Sequence, residues 1–354
     1  MTMTEDLGFY KGRRVFVTGH TGFKGSWLCR ILVGVGAEVT GYALEPPTGP
    51  SLFSLISLDR DMKSVTGDVR DFDALKKAYD EAKPEIVFHL AAQPIVRESY
   101  RTPRETYETN VMGTVNLLEC VRSSGASSVV NVTTDKVYYN DDGGRAFRED
   151  DPLMGHDPYS NSKSCSELVS YSYGVSFLRD AGVPLSTVRA GNVLGGGDFA
   201  ADRIIPDCVR AVTAGVPVVV RNPSSVRPFQ HVLEALSVYL TVAARQASDP
   251  SLSGAYNVGP DEEDIITTGE LAELFRSLWG EGAEIEIKGE KNAPHEAGFL
   301  RLDSSKLRNT FGWRPKWHIN ECMREVVAFA KAMAAGEDLA RECDREIGLF
   351  FGKE

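Results

Sequence analysis

The chain has 354 residues, enough for one large folding unit or two ordinary ones. At 42% hydrophobic and 25% charged, with 33 Gly and 17 Pro, it has a globular composition that excludes fibrous and disordered classes. Acidic side chains outnumber basic ones, 50 against 39, and the net charge of −11 disfavours nucleic acid and points to a small-molecule partner. In chain order, β-branched runs at 15–18, 38–42, 64–67, 86–90, 128–133 and 185–189 predict buried strands. Between them, 26–35, 72–82, 104–124 and 159–180 carry helical spacing. This βαβα rhythm predicts an α/β fold with a doubly wound parallel sheet covered on both faces.

After Arg189 the text becomes loop-rich, and alternation returns in pieces, with a helix expected at 231–246 and a strand at 255–258. The expected division is a nucleotide-binding domain over 1–189 with returning segments at about 229–258. A smaller substrate-binding domain follows over 190–228 and 259–320, then a helical tail over 321–354. No apolar run approaches the ~20 residues of a membrane span, and the first residues lack the order of a secretory signal. Six cysteines without CxxC spacing read as reduced core residues, and a cytoplasmic location is expected. The six histidines never recur at HxxxH spacing, so no metal site is expected.

Two motifs carry chemistry. Immediately after the first strand comes Gly19-His20-Thr21-Gly22-Phe23-Lys24-Gly25, running into a helix. Glycines at such a junction allow a sharp turn and let backbone N–H groups approach a diphosphate at a helix N-terminus. An acidic residue near the end of the second strand normally holds the adenosine ribose, but Val39 to Leu44 supplies none, and Glu45 is late. Asp68, with Val69 after it, either faces the adenine or forms an Asx turn. The second motif is Tyr159-Ser160-Asn161-Ser162-Lys163, which sets Tyr and Lys at i and i+4 on one helix face. An ammonium beside a phenol lowers its pKa and fits it for use as a base.

With Leu90-Ala91-Ala92-Gln93, Asn110, Val132-Thr133-Thr134-Asp135 and Arg189-Ala190-Gly191-Asn192, these motifs resemble the extended short-chain dehydrogenase/reductases, in their nucleotide-sugar branch. Gly19 to Leu28, Thr134-Asp135-Lys136-Val137-Tyr138 and Arg227-Pro228-Phe229-Gln230-His231-Val232 resemble the 4,6-dehydratases of CDP-linked glucose in particular. The likeness runs from Val15 to about Trp317. It implies a Rossmann-type fold, NAD as cofactor, a nucleotide-sugar substrate, deoxysugar biosynthesis as the setting and a homodimer or homotetramer joined through 104–124 and 159–180.

The resemblance also implies roles. Tyr159, supported by Lys163 and Thr134, would take the proton of the sugar 4-hydroxyl, and Asp135 would protonate the departing 6-hydroxyl. Gly19, Thr21, Gly22, Phe23, Lys24, Gly25, Asp68, Val69, Leu90, Ala91 and Ala92 would contact the cofactor, together with Tyr159 and Lys163. Gln93, Asn192, Arg203, Arg227, His231, His295 and Glu296 are the candidate substrate contacts, the arginines for the two phosphates. Relatives acting on dTDP-glucose carry Glu after that Asp as the C5 base. Lys136 stands there instead, and is expected either to serve as that base when neutral or to stabilise the C4 enolate when charged. Three other readings compete: a different nucleotide-sugar 4,6-dehydratase, a 4-epimerase sharing the fold and the YxxxK pair, and a non-catalytic NAD(H)-binding sensor or scaffold.

Overall fold

The computed structural model describes residues 3–141, 143–288 and 299–352. Seven parallel strands form the central sheet: β1 (Arg14–Thr18), β2 (Glu38–Ala43), β3 (Lys63–Thr66), β4 (Ile86–His89), β5 (Ser128–Val132), β6 (Leu185–Ala190) and β11 (Ala255–Val258). Short strands complete the count as β7 (Val193–Leu194), β8 (Val218–Val220), β9 (Val226–Arg227), β10 (Gln230–His231), β12 (Ile266–Thr267) and β13 (Ile285–Ile287). The helices of the first half are α1 (Met3–Gly8), α2 (Phe23–Gly34), α3 (Leu52–Leu55), α4 (Phe72–Ala82), α5 (Val96–Arg101), α6 (Pro103–Tyr107), α7 (Gly113–Ser124) and α8 (Pro158–Tyr173). The second half adds α9 (Ile204–Thr213), α10 (Val232–Ser248), α11 (Thr268–Trp279), α12 (Ser305–Phe311), α13 (Ile319–Ala334) and α14 (Leu339–Phe351).

The sheet runs β11-β6-β5-β4-β1-β2-β3, so the winding direction reverses between β1 and β4. Connections leave these two strands in opposite directions, which opens a crevice at their carboxyl ends. Strands β4 and β5 are buried at every position, as strands covered on both faces must be. Trp27, Leu32 and Tyr239 pack one face with α2 and α10, while Tyr79, Leu117 and Leu178 pack the other with α4 and α7. α10 is buried along nearly its whole length because its sequence is apolar on all sides.

Local chemistry explains the boundaries. Asp71 caps α4 by accepting the Ala74 N–H at 3.0 Å, and Asp157 caps α8 by accepting the Ser160 N–H at 3.0 Å, with Pro158 at the first helical position. The helix expected at 26–35 begins earlier, at Phe23, because Gly22 itself occupies the cap. The helix expected over 104–124 is interrupted by a π-turn, Glu108–Met112, and the one over 159–180 ends in another, Gly174–Leu178. In the first, the wider turn directs Asn110 inward, where its amide donates to Gln93 O at 3.1 Å and to Ser162 Oγ at 2.9 Å.

A separate apolar cluster lies over the crevice, built by Leu194, Ile205, Cys208, Phe229, Phe275 and Met323 from β7, α9, α11 and α13. Of the segment expected as a helical tail, the described residues 321–352 are packed on the body. α13 lays Phe329 where a Cβ on Gly196 would meet its ring at 1.9 Å, and α14 clamps α2 through Arg30 and Asp344 at 2.6 Å. All six cysteines are unpaired, and Cys165 alone is not fully buried. Among the described residues no helix is long and apolar enough to cross a membrane, and no cluster of His, Cys, Asp and Glu is suited to a metal ion.

Candidate active site

The crevice is framed by three chain segments that leave carboxyl ends of the sheet. After β1, Gly19 turns at φ +77, a value open to glycine at no steric cost. A Cβ there would lie 2.7 Å from the Ala91 backbone N, and one on Gly25 would lie 2.1 Å from the Gly19 carbonyl oxygen. Turn and helix are thus pressed together, and Gly22 caps α2 without any side-chain acceptor for its first N–H groups. Such an end is suited to an anion. After β4, the Leu90 N–H is accepted by Thr18 O at 3.1 Å and the Ala91 N–H by Thr18 Oγ1 at 3.2 Å, which ties 90–92 beside the glycine turn.

The third segment follows β5. Thr134 caps a short turn over Asp135–Val137, and its hydroxyl donates to Asp135 Oδ1 at 2.9 Å. Asp135 is 1% exposed and its Oδ2 has no hydrogen-bond partner, although the residue lines the cleft. Burial raises the Asp135 pKa, against the pull of Lys136, Thr134, Arg227 and Lys24. Across from it on α8, Tyr159 is pushed up to about 12 by burial, with the Thr134 hydroxyl within hydrogen-bonding reach pulling it down. Lys163, one turn on, donates to Val132 O at 3.0 Å, and burial lowers it to about 8 while Glu167 opposes. Half-buried Lys24 is likewise lowered to about 8, first by desolvation and then by Arg203. The arrangement holds a phenol, an acid and several cations in a site largely shielded from water.

Of the residues singled out from sequence, Lys24, Thr134, Asp135, Lys136, Tyr159, Asn192, Arg203 and Arg227 line this one cleft. Arg203 pairs with Asp198 at 2.9 Å, and Arg227 is buried with Nη1 donating to Val226 O at 2.9 Å. Thr21 donates to Leu44 O at 2.9 Å, and the Phe23 ring lies against Gly195, where a Cβ would meet it at 3.0 Å.

Two candidate substrate contacts, His231 and Gln93, stand away from the cleft lining. His231 is not at the cleft but in the core, fully buried. Its Nδ1 accepts the Leu233 N–H at 3.3 Å to cap α10, and its ring stands edge-on to Trp317 at 4.8 Å. Gln93 spends its amide on its own loop, donating to Thr106 Oγ1 at 2.9 Å and accepting the Ile95 N–H at 2.6 Å. Asp68 forms the Asx turn, accepting the Arg70 N–H at 2.9 Å, and the Arg70 side chain holds its carboxyl below the usual range. Val69 is wedged behind α7, where a Cβ on Gly113 would meet it at 2.7 Å. His295 and Glu296 lie outside the described residues.

Sequence reading missed Arg97, Asp198, Arg221 and Asn222, which share the cleft. It also missed Glu167, which the i, i+4, i+8 series Tyr159, Lys163, Glu167 on one helix face would have exposed. Glu167 is buried and bridges α8 to β6, accepting from Arg189 Nε and Nη2 at 2.9 Å each and from Thr187 at 2.6 Å.

The family model for GDP-mannose 4,6 dehydratase matches residues 16–326, spanning the sheet, the cleft and the smaller cluster. The chain belongs to this family. CDP-glucose 4,6-dehydratase of Salmonella typhimurium (strain LT2) is 50% identical over 349 residues, 97% of each chain. A dTDP-glucose 4,6-dehydratase of Xanthomonas campestris pv. campestris is 27% identical over 329 residues, covering 88% of this chain and 91% of that one. Among solved structures, the epimerase Mth375 of Methanothermobacter thermautotrophicus shares the fold at a TM-score of 0.81 and 21% identity, over 96% of this chain and 97% of that one. The dTDP-glucose 4,6-dehydratase of Bacillus anthracis in complex with NAD shares it at 0.76 and 22% identity, over 92% and 99%. The fold is thus the Rossmann-type sheet of sugar-nucleotide epimerases and dehydratases.

Proposed function

We propose that this protein is a hydro-lyase converting CDP-D-glucose to CDP-4-keto-6-deoxy-D-glucose, with NAD as its cofactor. The observation that carries this reading is the joint burial of Tyr159, Thr134 and Asp135 on one cleft, with Asp135 Oδ2 left unpartnered. A 4-epimerase has no need of an acid for a leaving 6-hydroxyl. The 50% identity to a CDP-glucose 4,6-dehydratase supports the choice of substrate.

The glycine turn fits a dinucleotide, since Gly22 leaves the first N–H groups of α2 without a side-chain acceptor, and Gly19 and Gly25 let turn and helix close together beside them. Gly19, Gly22 and Gly25, with the first turn of α2, would hold its diphosphate. When bound, NAD supplies a hydride acceptor for C4 that later returns the hydride to C6. The remaining work is done by this chain. Tyr159 takes the 4-hydroxyl proton, and the Lys163 ammonium on the same helix face favours the phenolate. Asp135, whose pKa burial raises, gives its proton to the departing 6-hydroxyl. Lys136 stands beside it at the cleft for the work at C5. Arg203 and Arg227 meet the two phosphates of the substrate.

The two apolar clusters on the sheet faces and the third over the crevice support a division into a nucleotide-binding body and a smaller substrate-binding part. Tyr107, Met112, Leu168 and Tyr171, exposed on and beside α6, α7 and α8, support a homo-oligomer joined there. Unpaired thiols support a reducing, cytoplasmic setting. Incubation with CDP-glucose and NAD, followed by mass and NMR analysis, tests the reading. A 4-keto-6-deoxy product is expected, and a C4 epimer or unchanged substrate would overturn it.

A further inference from the structure

A dehydration of this kind leaves the protein in a different protonation state from the one in which it began. The O4–H bond breaks and its proton goes to the Tyr159 phenolate, as the C4 hydride departs. The C5 proton moves to a base, the C6–O bond breaks, and the Asp135 proton joins the leaving hydroxide to make water. Hydride then forms the new C6–H bond, and the C5 base returns its proton to C5. Cofactor and C5 base finish as they started. Tyr159 finishes one proton richer and Asp135 one proton poorer, so before the next turnover the first must lose a proton and the second must regain one.

We propose that the Thr134 hydroxyl is the bridge for this return, carrying the proton from Tyr159 to Asp135 inside the closed cleft. The inference rests on the dehydratase reading above. Thr134 is 6% exposed, donates to Asp135 Oδ1 at 2.9 Å and lies within hydrogen-bonding reach of the Tyr159 phenol. Tyr159 and Asp135 are 9% and 1% exposed, which leaves bulk water a poor route to either. A hydroxyl can accept from the phenol while donating to the carboxylate, and after the transfer it donates back to the phenolate and accepts from the acid. The opposite carboxyl oxygen, Oδ2, has no partner in the protein, so the acid keeps one oxygen for the relay and one for the substrate. Backbone geometry fixes the hydroxyl in place, because Thr134 Oγ1 also accepts the Lys136 N–H at 3.4 Å as the cap of its short turn.

The test compares a single turnover with steady state in NAD-loaded enzyme, by rapid quench with CDP-glucose, for wild type, Thr134→Val and Thr134→Ser. A bridge predicts that Thr134→Val completes its first turnover but falls at least ~10-fold further in kcat than in the single-turnover rate, since only later cycles need the reset. Thr134→Ser, which keeps the hydroxyl, is expected to bring the two rates back together. Equal loss in both rates would overturn the bridge and leave Thr134 as a group that only tunes Tyr159. If Thr134→Val does not fold, Thr134→Ala is read in the same way. Wild-type enzyme that forms no 4-keto product would instead overturn the dehydratase reading itself.

Discussion

Tyr159 and Lys163 share a face of α8, and burial drives their pKa values apart, the phenol up to about 12 and the ammonium down to about 8. Both shifts have one cause, since desolvation disfavours whichever form is charged. Replacing Tyr159 with Phe keeps the ring and removes the proposed base. Turnover is expected to fall by at least ~10²-fold, with folding and NAD binding intact, as a coupled assay and circular dichroism would measure. Asp135 allows a prediction of opposite sign for stability and activity. Its folded pKa is raised above the unfolded value of 3.8, so the folded state holds a proton that the unfolded chain has lost. Stability from this group is therefore full below that value and declines as pH climbs through the window up to the raised pKa. Asp135→Asn removes the charge, and is expected to abolish dehydration while raising Tm at neutral pH by roughly 1–2 °C, about 1 kcal/mol. A Tm that fell would show that the carboxylate is better compensated than its lone Oδ2 implies.

At the scale of elements, the Glu167–Arg189 pair locks α8 to β6, with both side chains under 5% exposed. Arg189 also donates to Tyr138 OH at 2.8 Å, and Tyr138 donates to Asn257 Oδ1 at 2.6 Å, so the lock extends to β11. Removing one partner of such a pair strands a buried charge. Glu167→Gln is expected to lower unfolding free energy by about 3–5 kcal/mol in urea titrations, and replacing both partners by apolar residues to restore most of it. The same elements show what a sequence can reveal. Strands β1, β4, β5 and β6 were legible because burial on both faces writes continuous β-branched runs, and the Gly19 turn and the Tyr159, Lys163 pair were legible because their spacing is local. Strands such as β7 and β10 are two residues long and exist through pairing with each other, Gln230 with Val193 and His231 with Leu194, which no local pattern encodes. His231 was misplaced for that reason: the motif around it is a cap and a core contact, visible only once α10 meets Trp317. The ribose end of the cofactor site was read as lacking an acid, and Glu45 there accepts from Thr66 Oγ1 at 3.1 Å.

For the molecule as a whole, the reversal of strand order between β1 and β4 gathers the glycine turn, the β5 segment and α8 at one edge of the sheet. The third apolar cluster then closes over that edge, which is why catalytic groups far apart in sequence are buried together. The face formed by α6, α7 and α8 leaves Tyr107, Met112, Leu168 and Tyr171 exposed, which supports the homo-oligomer proposed above. Light scattering at micromolar concentration is expected to give a mass at least twice the 38.7 kDa of one chain, and a single-chain mass would remove the oligomer. The clamp of α14 on α2 bears on how the protein is made. During synthesis the glycine turn leaves the ribosome early, but the helix behind it is not held by Arg30 and Asp344, nor its neighbour His231 faced by the buried Glu346 at 3.4 Å, until residues 339–351 have emerged. The helix behind the glycine turn thus waits for a partner 314 residues further on, and the nascent chain carries it unclamped until that partner has emerged.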